Sequence, residues 1–96
     1  MRGKRPPTLP GEILREEFLA PAGLTQRQLA ERLGTDVKVI NRIVNGRTSV
    51  TPEMALKLGA ALRTTPEFWL NAQRAVDLYE AAQRIGKLPA PILMAS

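Results

Sequence analysis

The chain has 96 residues, 44% of them hydrophobic, enough for one modest core but not for two. Fourteen Lys and Arg against nine Asp and Glu leave a formal net charge of +5, which favours a polyanionic partner. With no cysteine and no histidine, disulfides, thiol nucleophiles and the two commonest transition-metal ligands are excluded, so no metal and no cofactor are expected. No apolar run is long enough to span a membrane, and the charged stretch from Met1 to Pro7 lacks the apolar core of a signal peptide. The expected location is cytoplasmic.

Residues 1–8 carry Arg2, Lys4 and Arg5 with two prolines and little that can pack, and read as a flexible basic tail. Pro10 opens a first helix running to about Leu19, with Leu14 and Phe18 on one side and Pro21 and Gly23 as its stop. The second helix has the best-specified start. Thr25 and Gln28 form a T-x-x-Q capping box, Leu24 and Leu29 flank it as a hydrophobic staple, and the helix covers Gln26 to Leu33 before Gly34 turns the chain. Asp36 caps a third helix from Val37 to Asn45 that buries Ile40, Ile43 and Val44 and stops at Gly46.

Thr51 and Pro52 start a fourth helix with Ala55, Leu58 and Leu62 facing inward. Gly59 within it costs about 1 kcal/mol relative to alanine, which implies the close approach of another helix. Thr65-Pro66-Glu67 repeats that start without any further duplication, and a fifth helix runs from Pro66 to Ile85 with Gly86 as its stop. Residues 87–96 place Leu88, Ile92, Leu93 and Met94 around two prolines, too broken for a helix. Disorder and packing on the same or a partner subunit both remain open for them. The chain therefore reads as all-α, with five helices over 9–86 between two short tails.

Two helices joined by Gly34, Thr35 and Asp36 match a helix-turn-helix, with Ala30 small where the helices cross and Ile40 and Ile43 anchoring the second. Residues 25–47 carry a local charge of +3, whereas residues 10–20 are net −2. With Ile40, Ile43 and Val44 inward, Lys38, Asn41 and Arg42 point outward near the helix N-terminus. Arginine and lysine can read guanine there, and asparagine can pair bidentately with adenine. Val37 either packs or reaches a thymine methyl. Gln26 lies at the start of the second helix, where free N–H groups favour phosphate, and Arg27, Asn45, Arg47 and Thr48 flank it as further backbone contacts. Asn45 serves equally as a helix stop.

No catalytic arrangement is present. Glu16 and Glu17 project about 100° apart on one helix, the serines have no histidine as base, and the glycines match no phosphate loop, so no enzyme activity is expected. RNA stacking platforms and basic amphipathic stripes are also missing. The fifth helix is apolar around much of its circumference. Phe68, Ala72, Val76 and Tyr79 are therefore expected to form a two-fold dimer interface, setting recognition helices about 34 Å apart on a palindromic site.

Pro10-Gly11-Glu12-Ile13-Leu14 with Glu17-Phe18-Leu19, the stretch from Leu24-Thr25-Gln26 through Ile40-Asn41-Arg42-Ile43-Val44-Asn45-Gly46, and Thr65-Pro66-Glu67-Phe68-Trp69-Leu70-Asn71 together resemble the HigA antitoxins. These belong to the lambda-repressor-like class of helix-turn-helix proteins. The resemblance covers Leu9 to about Tyr79. It implies a homodimer that binds operator DNA, represses its own operon and pairs with a HigB toxin, a RelE-type ribonuclease. The alternative is a stand-alone repressor with no toxin. Only nine residues precede Pro10, so toxin contact is expected to use a folded surface.

Overall fold

The computed structural model describes residues 5–94, and among them every regular element is a helix. The first, α1, is one continuous run over residues 10–22, α-helical at Pro10–Ile13, π-helical at Leu14–Leu19 and α-helical again at Ala20–Ala22. It passes through Pro21 instead of stopping near Leu19. In a regular helix the proline ring collides with the carbonyl four residues back and its missing N–H breaks a bond. The wider π turn, in which the Ala20 N–H reaches back to the Arg15 carbonyl, relieves that crowding just before the proline. The helix then closes at Gly23 (φ 66°), with the Leu24 N–H bonded to the Leu19 carbonyl at 2.9 Å.

Helix α2 (Gln26–Leu33) begins with the reciprocal capping box: the Gln28 N–H donates to Thr25 Oγ1 at 3.0 Å and the Thr25 N–H to Gln28 Oε1 at 2.9 Å. Gly34 takes the left-handed conformation that ends it. Helix α3 (Val37–Val44) starts where the Asp36 carboxylate accepts the Lys38 N–H at 2.8 Å, and Asn45 is its C-cap rather than its last residue. Ile40, Ile43 and Val44 are buried, as their spacing requires.

Helix α4 (Pro52–Leu62) is capped by Thr51 and ends at Arg63, a left-handed residue with φ 63°. Leu62 is only half-buried at the edge of the core. A Cβ on Gly59 would come within 2.9 Å of the Thr64 carbonyl oxygen and 3.2 Å of Pro66 N. The close neighbour is therefore the connection into the next helix, not another helix body. That helix, α5, runs over Pro66–Ile85.

Trp69, Leu14, Ile40 and Leu58 are the largest fully buried side chains, contributed by four different helices. Trp69 donates its indole N–H to Thr64 Oγ1 at 2.8 Å, so its polar atom is satisfied, and Phe18 and Phe68 lie against it at 5.4 and 5.0 Å between ring centroids. A second close approach sets the recognition end of the domain. A Cβ on Gly11 would fall on the Ile43 carbonyl, so the first turn of α1 rests directly on the backbone at the end of α3.

The four α5 residues expected at a dimer face differ in their coverage within one chain. Val76 is 5% exposed within its own chain, and Ala72 and Tyr79 are half-buried; only Phe68 is exposed. Arg5, Pro6, Pro7, Thr8 and Leu9 line a cleft with Val76 and Tyr79, and Pro10, Gly11 and Ile43 line a second one with Val76. Of the stretch expected as a tail, residues 5–8 carry no regular structure, while Arg2 and Lys4 lie outside the described residues. A second, outward apolar stripe is formed by Ala75, Leu78, Ala82 and Ile85, at spacings of three and four, with Leu78 63% and Ile85 59% exposed. Beyond Gly86, Leu88, Ile92, Leu93 and Met94 are all exposed. No helix of the described residues is long and apolar enough to cross a membrane.

Candidate nucleic-acid interface

The capping chemistry that starts α2 and α3 also aims their side chains. With Leu29, Ala30 and Leu33 of α2 buried against Ile40, Ile43 and Val44 of α3, the opposite faces of the two helices share one shallow concavity. Gln26, Val37, Lys38, Asn41, Arg42 and Arg47 line it. Four residues expected to read bases and two expected to hold phosphates thus come together. Lys38, Asn41 and Arg42 are exposed; Val37 is half-buried and packs on the core with one side while lining the concavity with the other.

Arg27 and Thr48 are exposed beside this group but do not line it. Asn45 is also exposed, and its side-chain amide donates to the Asn41 carbonyl at 3.0 Å, so it closes the end of α3. Among the described residues the two ion pairs are Arg15–Glu16 and Lys57–Glu53, far from α3 in sequence. Among the described residues nothing neutralises the cations of the concavity, which leaves their charge for an outside anion.

One contact was not legible in the sequence. Asn41 Nδ2 donates to Gln26 Oε1 at 3.2 Å, across the turn between the two helices. Gln26, read from sequence as a phosphate contact alone, also fixes the amide orientation of the residue suited to adenine. The bond leaves the Asn41 Oδ1 and its second N–H for a partner, one acceptor and one donor side by side. Only the crossing geometry of α2 on α3 brings residues fifteen apart together, and no local pattern announces it.

Behind α3, Gly46 (φ 70°) turns the chain, and the Arg47 N–H closes on the Arg42 carbonyl at 2.8 Å. Arg47, Thr48 and Ser49 are exposed, whereas Val50 is 3% exposed and anchors the loop.

A helix-turn-helix family model matches residues 14–69, the stretch from the middle of α1 to Trp69. The antitoxin HigA-1 of Vibrio cholerae is 47% identical over 81 residues, which cover 84% of this chain and 76% of that protein. The chain belongs to the HigA family of helix-turn-helix antitoxins. Among solved structures, Pseudomonas aeruginosa antitoxin HigA with the higBA promoter superposes with a TM-score of 0.86 at 34% identity, over 91% of this chain and 99% of that one. Antitoxin GraA in complex with its operator gives 0.83 at 41% identity, over 97% of this chain and 99% of its own. The HigA-type fold thus accounts for all five helices.

Proposed function

We propose that this chain is a DNA-binding antitoxin that represses its own operon and neutralises a HigB/RelE-type ribonuclease, acting in the cytoplasm by binding rather than catalysis. The observation that carries the DNA-binding half is the concavity of α2 and α3, where exposed Lys38, Asn41 and Arg42 form no ion pair among the described residues and stand on a helix anchored by three buried residues. Two relatives solved with a promoter or an operator support it. The HigA-type antitoxin relationship supports the toxin-neutralising half.

In this reading α3 enters the major groove of operator DNA. Asn41, held by Gln26, presents its amide to an adenine edge, Arg42 and Lys38 donate to guanine, and Val37 touches a thymine methyl. Gln26, Arg27, Arg47 and Thr48 position the backbone, with Asn45 contributing through its place at the end of α3. A palindromic site needs two copies. The exposed stripe of Ala75, Leu78, Ala82 and Ile85 supplies the second copy's contact, because small residues alternating with large ones let two such helices approach closely.

Asn41→Ala and Arg42→Ala should each cost about 1 to 3 kcal/mol on the operator and relax preference over a scrambled duplex. Arg47→Ala should weaken both duplexes alike. Binding isotherms on the two duplexes at several salt concentrations decide between these outcomes, and unchanged operator preference in both α3 variants sinks the assignment. For the toxin, co-purification with a basic ribonuclease encoded beside this gene is expected.

A further inference from the structure

The loop from Gly46 to Thr51 carries Arg47, Thr48 and Ser49 to the edge of the proposed DNA face, yet it has no regular structure of its own. Its start is pinned by the Arg47 N–H on the Arg42 carbonyl. Its far end is pinned by a side chain from elsewhere: the Val50 N–H donates to Gln73 Oε1 on α5 at 2.9 Å, across 23 residues of sequence. Gln73 is itself oriented, because its Nε2 donates to Asp77 Oδ1 one helical turn on at 3.0 Å. A glutamine amide can turn over about its last bond, and the aspartate acceptor fixes which end faces Val50. Among the described residues, the Thr48 and Ser49 N–H groups bond nothing within the protein. With the exposed Arg47, which also lines the concavity of α2 and α3, and the two hydroxyls, they are donors that the described residues leave unused.

We infer that Gln73 is a positioning residue for phosphate binding, holding the loop 47–49 so that its donors meet the DNA backbone together. The inference rests on the DNA-binding reading above and adds to it a residue on a helix that never enters the groove. Gln73 also ties the loop to the helix whose outer stripe is proposed to meet a second copy. The spacing of two subunits and the placement of their phosphate contacts are then set by one rigid element.

The test replaces Gln73 by methionine, which keeps the length without the acceptor, and separately by asparagine, which keeps the amide but is a methylene too short. Amide hydrogen exchange reads the Val50 N–H, and binding to operator and scrambled duplexes is titrated across salt. In both variants Val50 exchange should accelerate. Affinity should fall about tenfold for operator and scrambled DNA alike, the size of one lost bond to a charged group. The slope of log affinity against log salt should become shallower by about 1 per subunit, while the ratio between duplexes stays put. If methionine unfolds the domain, as a thermal melt would reveal, the asparagine variant alone decides. A folded variant with accelerated Val50 exchange and an unaltered salt slope overturns the inference. A wild-type chain that shows no operator binding overturns the DNA-binding reading instead.

Discussion

The helix pair α2–α3 and the distal half of α5 use similar apolar content to opposite ends. In α2 and α3 each apolar side chain at a core position is covered within the chain: Leu29, Ala30, Ile40 and Ile43 are 3% exposed or less. Their polar residues are left outward. On α5 beyond Val76, Leu78 and Ile85 are more than half exposed although they repeat at helical spacing. The first pair is complete in one chain, whereas the second holds apolar surface whose burial needs another molecule. Hydrophobic periodicity reports that a stripe exists; coverage by neighbouring segments decides whether it is core or interface.

The sharpest way to break that contrast is to put a carboxylate on each side of α5. Val76→Glu buries an unpaired charge and should cost about 3 kcal/mol or more in a urea unfolding curve. Leu78→Glu with Ile85→Glu should leave the stability of the isolated subunit within about 0.5 kcal/mol and abolish the dimer in sedimentation equilibrium. A double variant that dimerises like the wild type would remove the stripe from the interface.

A smaller loss is expected from Gly11→Ala, about 2 to 3 kcal/mol, because the obstacle is the α3 backbone at Ile43 and Val44 and no flexible side chain can yield. Thermal melts with the neighbouring Glu12→Ala as control measure it, and a neutral result would mean that α1 is free to shift on α3. Smaller than the loss from Gly11→Ala is that from Thr25→Ala, about 1 kcal/mol by the same melts, since one hydroxyl acceptor is lost from an exposed capping box. Gln28→Ala should remove the reciprocal bond and cost no more.

The parts legible from sequence are those written in local chemistry. Caps at Thr25, Asp36, Thr51 and Thr65 and stops at Gly34 and Gly86 fall where side-chain pattern alone places them. So does the outward trio Lys38, Asn41 and Arg42, whose direction follows from three buried neighbours on one helix. What escaped depends on distant segments. Residues that share clefts with Val76 lie some seventy positions earlier, so its surroundings cannot be read from α5 alone. The Gln26–Asn41 and Val50–Gln73 bonds likewise join side chains to groups that meet only once helices have crossed. The extent of α1 was missed for a different reason, since proline is read as a stop and the π turn that accommodates it has no local signature.

That π turn ties the length of α1 to the identity of one residue. Leu14 and Leu19, five positions apart, are both buried, and the chain reaches Pro21 with a widened turn already behind it. Loss of a single residue between them would restore an ordinary helical turn and set the Pro21 ring against the carbonyl four residues back. The π turn and the proline thus compensate one another. A deletion there is therefore expected to destabilise α1 unless Pro21 is replaced as well.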